Sequence, residues 1–569
     1  MKNILFPLAA IALAAPGYAQ NPRTPVQLDA GLGDSQAPAI ASEGEMTVAT
    51  WKDNVTEFLY ASVSTDGGLT WSAATRIDDS LGGNKFVEDI GTRISGGNIY
   101  VSWRDERNSA DDDLYFSVST DGGVTWSADA MIDKGYPSGA NPVRDWRMDA
   151  DGNNVAIAVT PDNGDEELYL VYSTDAGTTW SAATSATSHN GHSDADAMEI
   201  AVVGNTAYLV WVDNFDVVAG TGSRTADACY MSTFDLAGGT FTTMDASVSP
   251  NLEVLAGDLD GDIGFSANGS TMAVSMQSDL VANFHQTRVN VSTDGGTTWS
   301  GDNVVGNYTD SVDDCDNTKI LATDNGDVHV IWEDNRSGSD EIYSAMSTDG
   351  GVSFTEAAAS HGAGGFPEIR GNGDYIGINF TGSSFPEGSQ LAVSRDGGAT
   401  YAAVVDVAVG QTGDADFAEV AYNELYQNFM CTWLSDDLGA NQAYAGGMRN
   451  QTLTANGPFS AGSAINFDGS GFGASEAGNE FMVLASTAQG VANIPGDGRD
   501  IGLQVNPVLL QSAASPALKG TMLGDGTSST PSVSFPGSFA PGTTLYFVGM
   551  SRTGGTYGSI TEVVSVVVL

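Results

Sequence analysis

The string STDGGVTWS at Ser119 constrains this chain more than any other feature, because close copies of it recur. They begin at Ser64 (STDGGLTWS), Ser173 (STDAGTTWS), Ser292 (STDGGTTWS), Ser347 (STDGGVSFT) and Ser394 (SRDGGATYA). Successive starts lie 55, 54, 119, 55 and 47 residues apart, and a decayed copy, STFDLAGGTFTT, begins at Ser232 inside the long gap. A period near 55 residues marks one supersecondary unit repeated, each copy needing its neighbours to bury its apolar face.

The residues around each string say what the unit is. VATWKD, VSWRDE, LVWVDN and VIWEDN are alternating runs that stop in polar loops. Each is followed by a second run such as LYFSVS or IYSAMS, which leads into the string, and each is preceded by a short strand such as IGTRIS or EIAVVG. Alternation of apolar and polar residues over such lengths specifies half-buried strands, and Gly pairs specify tight turns. One unit is therefore a four-stranded antiparallel meander. Counting second strands near Trp51, Trp103, Ala158, Trp211, Ser275, Trp332, Asn379 and Trp433 gives eight units. Seven is the alternative if the weak units near Ser275 and Asn379 merge. The last unit supplies only three strands, ending in QAYAGGMR at Arg449, while PVQLDA from Pro25 stands alone at the other end. Pairing the two closes a circle and removes exposed sheet edges. The expected fold is all-β: a β-propeller of four-stranded blades over residues 24–450, closed by the N-terminal strand.

The nine-residue string resembles the Asp-box, SxDxGxTW, of the sialidase superfamily and related BNR-repeat proteins. The resemblance implies that the box is the turn between the third and fourth strands of a blade, on the face away from the family's active site. The local chemistry agrees: an Asp carboxylate folds back onto backbone N–H groups, the Gly residues accept positive φ, and the Trp fills the gap between blades. Asp66, Asp121, Asp175, Asp294, Asp349 and Asp396 are accordingly expected to be structural.

Residues 1–19 combine an early Lys, an apolar run from Ile4 to Ala15 and small residues at Gly17 and Ala19, the pattern of a bacterial-type signal peptide. A secreted or cell-surface protein with no membrane span is expected. Residues 451–569 break the period, are poor in charge and rich in Gly, Ser and Val, and are expected to form a small C-terminal β-sandwich over 455–569, an accessory module for attachment or secretion. Against 72 Asp and Glu there are 21 Lys and Arg, a net charge of −51. Such a field repels nucleic acid and suits a cation-rich medium. The three cysteines, Cys229, Cys315 and Cys431, have no ligand or disulfide spacing and read as buried thiols.

Chemistry is expected on the face that carries the loops between strands 2 and 3 and between successive blades. Carboxylates enter the innermost strands there: Glu88 and Asp89, Asp145, Asp194 and Asp196, Asp260 and Asp262, Asp314 and Asp316, and Asp414 and Asp416. As D-x-D pairs converging on the axis they form an acidic collar suited to Ca²⁺, unless they are simply the loop aspartates of an acidic chain. Basic residues are scarce, so those near the axis stand out: Arg93, Arg144, Arg147 and Arg370, with Arg104, Arg107 and Arg336 in the loops between strands 2 and 3. The sialidase resemblance implies a three-arginine clamp for a substrate carboxylate, with a Tyr/Glu nucleophile pair and an Asp acid/base; Arg93, Arg147 and Arg370 are the weak candidates. The family's (F/Y)RIP motif is missing, since residues 21–63 hold only Arg23. The repeated contexts of Arg107 and Arg336 suggest blade-to-blade salt bridges. His189 and His192 beside Asp194 make a further, weaker metal candidate. Trp146, Arg144, Tyr136 and Tyr308, with Phe366, are the candidate binding residues. Together these features favour an exported propeller that binds a glycan or an extracellular or cell-surface protein, without hydrolysis. The alternatives are a divergent exo-α-sialidase or other glycoside hydrolase, and a structural component of an extracellular assembly.

Overall fold

The structure is a computed structural model, and it describes residues 22–30, 32–80, 90–107, 112–135, 141–162, 167–188, 196–213, 228–248, 259–281, 284–306, 315–384, 386–490, 492–494 and 501–569. The fold is an all-β propeller assembled from four-stranded antiparallel meanders, labelled I to VIII here. Sheet I comprises Ser35–Glu43, Met46–Asp53, Phe58–Ser64 and Thr75–Arg76. Sheets II to VII repeat that order, beginning at Ile90, Val143, Asp196, Leu259, Cys315 and Gly362, with VI and VII joined edge to edge where Glu341 and Ile342 pair with Ala363 and Gly362. In the two weak units, Thr271–Val281 and Tyr375–Gly382 each pair as the second strand of a meander. Sheet VIII takes three strands from Ala415–Asn423, Asn428–Ser435 and Gln442–Arg449, and its fourth from Val26–Gln27, which pairs with Ala445 and Tyr444.

The cores lie between sheets. Second strands carry Trp51, Trp103, Trp211, Trp332 and Trp433, all fully buried, each ring set 6.1 to 6.3 Å from a third-strand Tyr. Leu170 and Ala158 of sheet III pack with Trp211 and Tyr230 of sheet IV, and Leu28, Leu434 and Ala445 at the seam pack with Trp51 of sheet I. Burial of such rings between neighbours is what a single meander cannot supply by itself.

The six boxes share one geometry. Asp66 accepts from the N–H of Thr70 at 2.9 Å and from its hydroxyl at 2.6 Å, and Asp121, Asp175, Asp294, Asp349 and Asp396 hold Thr125, Thr179, Thr298, Ser353 and Thr400 in the same way. The closing aromatic leaves its own sheet: Trp180 of sheet III meets Phe116 of sheet II edge-on at 4.8 Å. Gly177 of that box has φ +79°, and a Cβ there would collide with the Phe116 ring. The decayed copy is different: Asp235 to Thr240 form a plain hairpin into a long fourth strand, Thr240–Ser247.

Beyond Arg449 two further sheets face each other around Phe467, Phe481, Phe535 and Phe547. One helix, Pro507–Ala514, is capped by Asn506, whose side chain accepts from the N–H groups of Val508 and Leu509. This part meets the propeller through Arg23–Glu562 at 2.8 Å and Gln451–Tyr375 at 2.8 Å. All three cysteines are buried thiols outside any disulfide. Among the described residues no helix is long and apolar enough to cross a membrane.

Candidate functional site

The first strands of all eight sheets line one central cavity of about 750 Å³. Strand register places equivalent positions at one level. Taking the residue opposite the position before each second-strand aromatic or its equivalent gives Ala39, Gly91, Arg147, Glu199, Gly264, Lys319, Glu368 and Glu419. Two residues on along each strand the second level is Ala41, Arg93, Asp149, Ala201, Ser266, Leu321, Arg370 and Ala421. Every one of these sixteen lines the cavity. Alternation along a strand explains why charges stand two residues apart on the lumen side, while Trp146, Met148, Ile200 and Ile369 turn into the walls.

Four cations and four carboxylates thus share the wall of a chain that is otherwise strongly acidic. Arg93 of sheet II donates to Asp149 of sheet III at 3.2 Å. Arg147 holds Asp145 at 2.6 Å and reaches Glu199 of sheet IV at 3.4 Å. Lys319 of sheet VI lies 3.5 Å from Glu368 of sheet VII, which Arg370 also grips at 3.0 Å. The cation side chains remain 40 to 45% exposed to the lumen. Glu419 is different. No salt bridge or hydrogen bond holds its carboxyl group among the described residues, and burial together with the adjacent charge of Glu368 pushes its pKa up to about 7. At Glu368 burial acts in the same direction, but Lys319 and Arg370 outweigh it and hold the carboxyl below its usual range. Burial also raises Asp149. Tyr422, which also lines the cavity, is pushed well above the ordinary phenol value by burial.

The sequence candidates fare unevenly. Arg93, Arg147 and Arg370 do line one lumen, but each is already engaged by a carboxylate. Trp146 is 5% exposed, its ring packed on Gly91, so it is part of the wall and not a free platform for a ligand. Arg144 is exposed at the loop face. Tyr136 and Tyr308 lie outside the described residues, as do Glu88, Asp89, His189, His192, Asp194 and Asp314 and the side chains of Asp196, Asp260 and Asp262. Asp316 is exposed near His285, at 3.9 Å, and Asp414 accepts from the N–H of Glu387. Asp416 is raised by burial, with Glu387 as a hydrogen-bonded neighbour. Among the described residues no three His, Cys, Asp or Glu side chains gather as metal ligands.

Arg107 and Arg336 correct the expectation of blade-to-blade bridges. Arg336 clamps Asp334 and Glu356 of its own sheet while lying 4.2 Å over the Tyr343 ring. Arg107 repeats this with Asp105, Asp129 and Tyr115, and only a 3.7 Å approach to Asp79 leaves its sheet. Other bridges between neighbouring sheets, Arg93–Asp149, Arg147–Glu199 and Lys319–Glu368, lie in the channel.

Lys319, Glu199, Glu368, Glu419 and Asp149 were missed by sequence reasoning. For three of them the signal was a charge three residues after the loop aspartate: Asp196 to Glu199, Asp316 to Lys319 and Asp416 to Glu419. The bulge that opens these strands hides it, because it breaks simple alternation.

Residues 44–210 match the model of the BNR repeat-like domain. No curated protein sequence matches the chain. Solved structures similar to it include an ulvan lyase of polysaccharide lyase family PL25 (15% identity over 67% of this chain and 94% of that one, TM-score 0.39). Also similar are the polysaccharide lyase Uly1 (9%, 76% and 99%, TM-score 0.44) and an α-L-arabinanase of Penicillium chrysogenum complexed with arabinobiose (13%, 68% and 99%, TM-score 0.37).

Proposed function

We propose that this chain, with its BNR repeat-like region, is an exported eight-bladed propeller closed by its N-terminal strand, and that it binds a glycan at the loop face of its channel without hydrolysing it. Residues 24–450 form the propeller in this reading, and 455–569 are an accessory module. The observation that carries the binding role is the state of the channel arginines. A sialidase-type clamp needs three guanidinium groups free to take a substrate carboxylate. Here Arg93, Arg147 and Arg370 are each neutralised by a carboxylate of the wall. What remains toward the lumen is a set of half-exposed donors and acceptors of both signs, which suits a ligand rich in hydroxyl groups.

A glycoside hydrolase is the second reading, favoured by Glu368 and Glu419. Two neighbouring carboxyl groups with pKa values driven apart are the arrangement of an acid and an ionised partner.

A glycan array probed with the full chain, run beside a 4-methylumbelliferyl sialoside assay and product analysis of any polysaccharide bound, separates these. Retention with no released sugar or fluorophore supports the binding role. Release abolished by Glu419→Gln establishes the hydrolase instead, and silence on every glycan removes both.

A further inference from the structure

The first strands of sheets I, IV, VI, VII and VIII each open with a bulge in which one residue takes a left-handed backbone: Ala37, Ala197, Asn317, Phe366 and Phe417, with φ between 30° and 54°. Asn tolerates that region and Ala is small, but a bulky side chain is held there at a cost in free energy. Burial would offset the cost, yet Phe366 is 71% and Phe417 is 68% exposed. Both local rules, the backbone preference and the burial of a large apolar ring, are broken together at the same position of two adjoining sheets, whose first strands are in contact. Each Phe lies two residues before a carboxylate that lines the cavity, Glu368 or Glu419, on the side where its strand enters the lumen. The bulge of Phe366 is pinned from the next sheet: Glu333 accepts from the Phe366 N–H at 2.5 Å and from Asn317 at 2.6 Å.

We infer that Phe366 and Phe417 are a paired stacking platform for an uncharged polysaccharide laid across the channel mouth, a proposal that rests on the glycan-binding reading above. Packed sheets stand about 10 Å apart, so the two rings are offset on the scale of a short run of sugar units. The negative face of each ring attracts the C–H face of a pyranose, and nearby acceptors, Asp316, Glu333 and Asp416, are placed for hydroxyl donors. A net charge of −51 opposes a polyanionic chain, which selects a neutral one.

The test is affinity electrophoresis of the full chain through gels holding laminarin, xyloglucan or galactomannan, with alginate as the anionic control. At least one neutral polysaccharide is expected to retard the protein and alginate to leave it unretarded. Phe366→Ala and Phe417→Ala should each weaken retardation about tenfold. Phe366→Gly and Phe417→Gly should raise the Tm, because Gly relieves the left-handed backbone, while weakening retardation as much as the Ala variants do. Undiminished retardation in the Phe366→Ala/Phe417→Ala double variant overturns the platform and leaves glycan binding standing. Retardation by alginate alone overturns the choice of a neutral ligand, and self-association of the wild type that vanishes in the double variant overturns the platform in favour of a protein contact. Absence of retardation in every gel overturns the glycan reading and this inference with it.

Discussion

Glu368 and Glu419 occupy the same level of adjoining first strands, opposite Asn379 and Thr432, and their protonation is driven in opposite directions. Burial disfavours both anions. Glu368 has Lys319 and Arg370 against it; Glu419 faces Glu368 and has no ion pair of its own among the described residues. The charge pattern of the ring therefore decides which of two similar side chains keeps its proton near neutrality.

That pattern has a consequence for stability. Glu419 binds its proton more tightly folded than unfolded, so its share of stability is complete below about pH 4.5 and is lost as pH rises through about 7. Glu419→Gln keeps the side-chain volume and removes the titration. Its Tm should match the wild type at pH 4.5 and exceed it by a few degrees at pH 8, measured in the same salt. Because Glu419 is half-buried at the lumen, the gain will be smaller than full burial would give. An equal difference at both pH values would show that Glu419 does not titrate abnormally.

The seam between the chain's ends rests on Asp29. Its fully buried carboxylate accepts from the N–H of Ala443 at 2.8 Å and from the Ser35 hydroxyl, and Leu28 adds a backbone bond to Ala443 at 2.8 Å. Asp29→Ala leaves that buried N–H without its partner, so unfolding free energy should fall by about 2 kcal/mol. If the proposed ring is closed there, the loss is felt at a distance, and hydrogen exchange should quicken in Gln442–Arg449 and in Met46–Asp53 together. Exchange confined to residues 26–30 would mean that the terminal strand merely decorates the last sheet.

The fold was legible because its information is periodic. Box spacing, the alternating second strands and the last unit's missing strand all survive local noise, and the pairing of Val26 with Ala445 follows from that missing strand. The channel was harder to read. Arg147 and Lys319 face the lumen only through the register beyond their bulges, and a bulge shifts alternation by one residue without a fixed sequence mark. Trp146 was misread for the same reason: a Trp between two charged residues looks like a surface aromatic until the register turns it against Gly91. Phe417, which follows Asp416 in an acidic run, carries no sign of its exposure, because no Gly or Asn stands there to mark the positive φ it adopts.

Arg336 gives a sharper energetic test than any surface ion pair. Asp334 has no exposed side-chain area and accepts from Trp332, from the Arg336 backbone and from the guanidinium, which also spans to Glu356. Arg336→Ala strands a buried carboxylate and should lower unfolding free energy in urea by about 3 kcal/mol. Arg336→Lys restores the charge but neither the two-pronged grip nor the plane that covers Tyr343, so it should recover less than half of the loss. Full recovery by Lys would reduce the clamp to simple charge pairing.

The boxes predict an acid limit. In Asp121 hydrogen bonds from the Thr125 hydroxyl and N–H outweigh the small cost of desolvation and pull the pKa down to about 2, and Asp349 is lowered to about 2 by Ser353 in the same way. A carboxylate lowered in the folded state stabilises above its unfolded value, near 4, and that contribution disappears as pH falls through about 2. Asp121→Asn retains an acceptor oxygen but not the charge. The variant should be less stable than the wild type at pH 6, by a few degrees in Tm, and the gap should narrow steadily between pH 4 and pH 2. A gap that stays constant over that interval would assign the box's contribution to hydrogen-bond geometry alone, with no part for the charge. Because the same turn recurs in six sheets, each copy joined to a neighbour through its aromatic, a wild-type acid transition steeper than one box can account for is the collective form of the same prediction.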